Sequence, residues 1–268
     1  MKLKENFQLP ENQTDGVLIL DSGIGSLSLL GSLNKSLPHV PLIAFADQKF
    51  FPYGEKEESE IVERLLGVAE SLINICKPKT VLVACNTAST IVLPELRSKF
   101  DLPIVGIVPG VKPAAEQSKA RKAVLLATRA TVNRSYTDKL IRDFAGDCQI
   151  IKIGSSNLAS LAESKIASGS ICMNALAAEL IELKNHQDAD CLILGCTHFS
   201  FIKDEISSLL GSRVLIIDPV EPVARQVIKV NTYQRNELAQ NYLLTSANEN
   251  AYVKLDIKAY GINEIIYL

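Results

Sequence analysis

Eight short runs of apolar residues constrain this chain more than any other feature. They are 17–20 (VLIL), 42–46 (LIAFA), 81–84 (VLVA), 104–108 (IVGIV), 123–127 (AVLLA), 150–153 (IIKI), 191–194 (CLIL) and 214–217 (VLII). Most do not alternate with polar residues. A strand wetted on one face alternates, whereas a strand covered on both faces does not, and double covering is the habit of parallel sheets flanked by helices. The stretches between the runs have helical period. In 57–76 the apolar positions are Ile61, Leu65, Leu66, Ala69, Leu72, Ile73 and Cys76, and in 171–183 they are Cys172, Leu176, Leu180 and Leu183. Strand–helix alternation with short loops predicts an α/β fold. At 268 residues and 47% apolar content, one large domain or two ordinary ones can be filled.

A weak internal repeat favours two similar units. Run 17–20 ends at Asp21 and run 81–84 at Cys85; run 123–127 ends at Thr128 and run 191–194 at Gly195-Cys196. Both halves therefore read as a strand with a polar end, then a strand with a cysteine end. Ligands of open α/β sheets bind at the carboxyl ends of strands. Asp21, Asp47, Cys85, Thr128, Cys196 and Asp218 all fall at or just after such ends, so one crevice between two sheets is expected to collect several of them.

Composition narrows the partners. A formal net charge of −2 without a Lys/Arg run argues against nucleic acid and against a polybasic membrane patch. The start, MKLKENFQLPENQ, lacks the apolar core of a signal peptide, and no run is long enough for a membrane span. The expectation is a cytoplasmic protein, in which the six cysteines are reduced thiols.

Cysteines most often serve as small core residues. Cys76 and Cys172 fit that role on apolar helix faces, as do Cys148 and Cys191 at strand beginnings. Cys85 (VLVACNTAST) and Cys196 (CLILGCTHFS) differ, because each stands where a strand gives way to a polar loop and a following helix. Helix N-termini stabilise thiolates, with Thr87 or Ser89 as candidate cap. His198, two residues after Cys196, has the chemistry to move a thiol proton. CLILGCTH also reads as C-x4-C-x-H, but that is not a usual zinc spacing, and no metal is expected.

DSGIGS, residues 21–26, follows a strand on a tight glycine turn. It lacks the third glycine of the dinucleotide fingerprint and the Gly-Lys-Ser/Thr of a Walker A loop. Asp47 stands where a ribose-binding acid would sit, which leaves a nucleotide-binding protein as an alternative. FFPYGEK, residues 50–56, is by itself turn chemistry. DSGIGS, PYG, ACNTAS and GCTHF contain no Arg or Lys. An anionic ligand would then be held by backbone N–H groups, hydroxyls and the Asn86 amide.

Asp-Ser-Gly-x-Gly, Pro-Tyr-Gly, Ala-Cys-Asn-Thr-Ala-Ser and Gly-Cys-Thr-His, in that order, resemble the glutamate racemases of the aspartate/glutamate racemase superfamily. The resemblance runs from about Val17 to Asp218. It implies two α/β domains, the second inserted in the first (1–97 plus 212–268, and 98–211), with the active site in the interdomain cleft. It implies a homodimer that needs no cofactor and racemises L- and D-glutamate for peptidoglycan synthesis. Racemisation removes a proton from one face of Cα and returns one to the other, so two thiols exchange roles each turnover. By matching position, Cys85 deprotonates the D-enantiomer and Cys196 the L-enantiomer, assisted by Asp21 and His198, with contact to the substrate ammonium as the alternative role for Asp21. Ser22, Tyr53, Gly54, Asn86, Thr87, Thr131 and Thr197 are the implied substrate ligands. Helix termini are expected to lower the thiol pKa modestly from its usual ~8.5.

The chain departs from the family pattern in three places. Ser26 replaces a glycine, Phe199-Ser200 replaces Tyr-Pro, and IGSSN (153–157) stands where an acidic residue is usual. Competing readings are an aspartate racemase and a single-thiol hydrolase or decarboxylase.

Overall fold

The computed structural model describes residues 9–10, 13–211, 213–230, 233–249 and 251–268. Most of the MKLKENFQLPENQ segment, and residue 212 at an expected domain boundary, lie outside the described residues.

The apolar runs are parallel strands in two sheets. The first sheet contains β1 (Val17–Asp21), β2 (Leu42–Ala46), β3 (Thr80–Val83) and β4 (Ile104–Gly106), and the second contains β5 (Lys122–Thr128), β6 (Gln149–Ser155), β7 (Cys191–Gly195) and β8 (Leu215–Ile217). Two later strands, β9 (Tyr242–Thr245) and β10 (Glu264–Tyr267), extend the first sheet to the order β10-β9-β2-β1-β3-β4, while the second runs β6-β5-β7-β8. All pairings are parallel. The β2-β1-β3-β4 and β6-β5-β7-β8 orders are the same, so the weak repeat in the sequence corresponds to a repeated topology.

The strands lack alternation because both faces are covered. Along β1, Val17 and Ile19 join one apolar cluster while Leu18 and Leu20 join another. Along β5, Val124 and Leu126 face one side and Ala123, Leu125 and Ala127 the other. The helix Glu58–Cys76 covers the first sheet through Ile61, Leu65, Val68, Ala69, Leu72 and Cys76. A capping box of Glu57 and Glu60 starts it, and Lys77 in the left-handed region (φ 43°) ends it.

Several expectations are corrected here. β4 pairs with β3, and β8 pairs with β7. The chain therefore changes sheet after Gly106 and again after Ile217, downstream of the expected boundaries at 97/98 and 211/212. The predicted helix 171–183 divides into Met173–Glu179 and a 3-10 turn Ile181–His186. Leu176, Leu180 and Leu183 are buried as expected, but Cys172 is exposed ahead of the helix. No helix among the described residues is long and apolar enough to cross a membrane.

Candidate active site

In each sheet the strand order reverses beside the first strand of its unit, between β1 and β3 and between β5 and β7, and crevices open at such switch points. Asp21 ends β1 and Cys85 follows β3, while Thr128 ends β5 and Cys196 follows β7. The site residues thus come from the two switch points, one in each sheet.

Asp21 is fully buried and links the two halves. Its Oδ1 accepts the Ser22 N–H at 2.7 Å and the Ser22 hydroxyl at 3.3 Å, and its Oδ2 accepts the Thr197 hydroxyl at 3.1 Å. The Ser22 hydroxyl lies 3.9 Å from Cys85 Sγ. Burial pushes the Asp21 carboxyl above the ordinary carboxylate range, against the lowering effects of His198, the Ser22 N–H and the Thr197 hydroxyl.

Burial, and then the Asp21 charge, push the Cys85 thiol well up, with Cys196 close enough to add to the effect. The Ala88 N–H of the following turn does lower the thiol as expected, but burial and the Asp21 charge outweigh it. The helix after Cys85 is a single turn, Asn86–Ser89, so its contribution is confined to that local N–H contact. Neither Thr87 nor Ser89 caps it. The Ser89 hydroxyl instead donates to Val83 O at 3.0 Å.

On the other strand, Cys196 Sγ lies 3.9 Å from His198 Nδ1, and His198 Nε2 donates to Glu163 Oε1 at 3.0 Å. Burial alone would lower the imidazole pKa, but contact with Cys196 and Glu163 carries it well above its ordinary value. Burial would in turn raise Glu163, yet His198, the Ile24 N–H and the Gln48 amide hold that carboxyl below the usual range. Glu163 corrects the expectation drawn from IGSSN. Ser155 in that segment accepts the Asn157 and Leu158 N–H groups and donates to Glu179, so it starts a helix. The acid beside the histidine comes from Glu163 inside that helix. It stands four residues after buried Ala159 and one after buried Ala162. A carboxylate on an apolar helical stripe is the signal that would have found it.

A second group of hydroxyls lies across the seam between the sheets. The Thr87 hydroxyl is 3.0 Å from that of Thr128 and 3.1 Å from that of Thr131. Gly54 packs against Thr128 so closely that a Cβ there would sit 3.1 Å from Thr128 Cβ. Asn86 is 2% exposed, and neither end of its side-chain amide has a hydrogen-bond partner in the protein. Buried amides are normally satisfied, so the unpaired Asn86 amide is an exception within the protein.

Asp47 does not project into a ribose site. Its carboxylate accepts Arg64 Nε at 2.7 Å, a second Arg64 nitrogen at 2.6 Å, the Tyr53 hydroxyl at 3.0 Å and the Ser246 hydroxyl at 3.2 Å. It fixes the Pro-Tyr-Gly turn, and Arg64 was missed because it lies on a solvated-looking helix. Burial, followed by Asp47 and Cys85, pushes the Tyr53 phenol well up. Asp218 accepts the Ser200 hydroxyl and the Val220 N–H, a local role at a helix start. The C-x4-C-x-H reading fails on geometry, since Cys191 belongs to the apolar cluster on one face of β7 and Cys196 to the cluster on the other.

Residues 25–227 match the Asp/Glu/Hydantoin racemase family. A glutamate racemase of Shewanella sp. (strain MR-7) is 40% identical over 243 residues, covering 90% of this chain and 89% of that protein. The crystal structure of Escherichia coli glutamate racemase, in complex with L-glutamate and the activator UDP-MurNAc-Ala, superposes with a TM-score of 0.89 at 36% identity, over 95% of this chain and 98% of that one. A glutamate racemase isoform from Bacillus anthracis shares the fold with a TM-score of 0.84 at 23% identity, over 96% of this chain and 98% of that one. A site assembled from two matching switch points, on a chain this similar throughout its length, has one origin: the chain belongs to the Asp/Glu/Hydantoin racemase family, on its glutamate racemase branch.

Proposed function

We propose that this chain interconverts L- and D-glutamate by proton transfer between Cα and two thiols, Cys85 and Cys196. The observation that carries the reading is that strand-end cysteines from two separate sheets are brought into one site around Asp21 and Thr197. One thiolate takes the α-proton, the C–H electron pair stays on Cα, and the opposite thiol gives its proton to the other face and becomes the thiolate. No net proton or electron is consumed, so the chemistry calls for no cofactor. Asn86, Thr87, Thr131, Ser22, Thr197 and the Tyr53–Gly54 turn hold the carboxylates and ammonium, which stabilises the carbanion-like state.

The two sides differ. Cys85 lies beside a buried acid whose charge favours the thiol against the smaller opposing effect of the Ser22 hydroxyl, whereas Cys196 lies beside a histidine whose pKa Cys196 and Glu163 carry well above its ordinary value. In the L-to-D direction Cys196 takes the α-proton and Cys85 returns one to the opposite face; in the D-to-L direction the roles reverse. The reaction belongs in the cytoplasm, where thiols stay reduced and D-glutamate feeds peptidoglycan synthesis, and the working form is a homodimer.

Optical rotation of L-glutamate, followed by circular dichroism with purified protein and no additive, is the test, with L-aspartate in parallel. Rotation should decay to zero for glutamate, with solvent deuterium entering Cα. Cys85→Ser and Cys196→Ser should each lose at least about 100-fold in turnover. Undiminished racemisation by either variant, or aspartate as the better substrate, would overturn the reading.

A further inference from the structure

Glu163 has one contact that the two-thiol chemistry does not require. Its Oε1 accepts the Ile24 N–H at 2.9 Å and faces His198, while its Oε2 accepts the Gln48 side-chain amide at 2.8 Å. Gln48 Oε1 in turn accepts the Tyr252 hydroxyl at 2.7 Å. Five side chains are thereby joined in the order Tyr252, Gln48, Glu163, His198, Cys196. Gln48 opens the turn after β2, and Tyr252 lies between β9 and β10 and packs in the apolar cluster of the first sheet. Glu163, His198 and Cys196 belong to elements of the second.

We infer that Gln48 and Tyr252 are positioning residues for the Cys196 side of the site, setting the Glu163 carboxylate and through it the His198 imidazole. This rests on the two-thiol reading. Tyr252 is 5% exposed, and its hydroxyl is a donor aimed at Gln48, so it selects the amide orientation that points Nε2 at Glu163. The reversed amide would set an oxygen against a carboxylate. With Gln48 in place, each oxygen of Glu163 has a distinct partner set and cannot exchange by rotation. Without it, Oε2 loses its side-chain donor and the grip on His198 Nε2 slackens. The groups facing His198 are Glu163 from its helix, Asp21 from the end of β1 and Cys196 from its own segment. The chain of contacts crosses from the first sheet to the second, so the setting of His198 depends on residues of both halves.

The test uses Gln48→Leu and Tyr252→Phe in the full chain, with Lys49→Ala as an exposed neighbour expected to behave as wild type. The equilibrium constant between enantiomers is fixed by symmetry, so kcat/KM falls equally in both directions and asymmetry must be read elsewhere. Loosening His198 should move the alkaline limb of the kcat/KM–pH profile down by about half a unit or more. The Cα-deuterium isotope effect should rise with L-glutamate and fall with D-glutamate, as proton transfer at Cys196 becomes the slower step. Turnover should drop about tenfold in Gln48→Leu and less in Tyr252→Phe. The latter removes one oxygen and carries the test if Gln48→Leu does not fold. Wild-type limbs and an unchanged isotope-effect ratio in the folded variants would overturn the inference. Full activity in Cys196→Ser would instead sink the two-thiol reading beneath it.

Discussion

Thr197 donates a hydrogen bond to Asp21 across the two sheets, with its hydroxyl 3.1 Å from Oδ2. The donor precedes His198 and follows Cys196; the acceptor precedes Ser22, which touches Cys85. One bond thus registers the two thiol-bearing segments against each other. Thr197→Val keeps the shape and removes the donor. Asp21 is left buried with fewer partners, which costs about 1–2 kcal/mol. Turnover should fall by about tenfold or more, since misplaced reacting groups lose rate steeply. Urea unfolding and the optical-rotation assay measure the two effects separately, and an unaltered rate would show that the tie is only structural.

The His198–Glu163 pair gives stability a defined pH window. Glu163 is held below its ordinary 4.5, so its contribution is complete above that pH and is lost as pH falls through the folded value. His198 is held above its ordinary 6.5, so its contribution is complete below that pH and is lost as pH rises through the folded value. Both are fully present between 4.5 and 6.5. The destabilisation caused by Glu163→Gln should be largest in that window and shrink on either side. Denaturant midpoints across the pH range test this, and a flat difference would contradict it.

Arg64 satisfies Asp47 with two nitrogens, and the Asp47 side chain has no solvent exposure while that of Arg64 is 20% exposed. Removing the cation strands a buried carboxylate, which is worse than removing both partners. Arg64→Met should destabilise by about 3 kcal/mol, and Asp47→Asn in the same chain should recover part of that loss. A double variant no more stable than Arg64→Met would refute the argument.

Ser26, where the family pattern has glycine, is fully buried and its hydroxyl has no hydrogen-bond partner. Ser26→Ala removes an unsatisfied group with almost no change in volume. Thermal unfolding should show a gain of about 1 kcal/mol with turnover unchanged. A loss of activity would instead mean that the hydroxyl meets the substrate.

The fold was largely legible because its strands are buried on both faces, and double burial writes an unbroken apolar run into the sequence. β1, β2, β3, β5 and β7 carry that mark most fully, while the edge strands β6 and β8 are partly exposed, at Lys152 and Leu215. β9 (YLLT) is buried throughout but is four residues flanked by Asn241 and Ser246, too brief a run to stand out, and β10 (EIIY) is only half-buried, with Glu264 exposed in the outermost strand. The site was legible where chemistry sits at strand ends, as at Asp21, Cys85 and Cys196. Glu163, Gln48, Arg64 and Tyr252 were not, because each acts from inside a helix or loop through a tertiary contact. Their partners lie many residues away, as with the 204 residues between Tyr252 and Gln48. The direction of the Cys85 pKa was misjudged for the opposite reason. A helix start is visible in sequence, whereas the depth of burial that governs Cys85 is not.

The placement of β9 beside β2 also bears on how the chain is made. β2 pairs with β1 on one side and β9 on the other, and the Leu42 N–H donates to Asn241 Oδ1 across 199 residues of chain. Synthesis therefore delivers every strand of the second sheet before β9 arrives to close β2. Until then β2 is an open, wholly apolar edge, the kind that recruits other chains. The nascent chain is most exposed to misassembly in that interval, after its second half can already fold and before its first half can be finished.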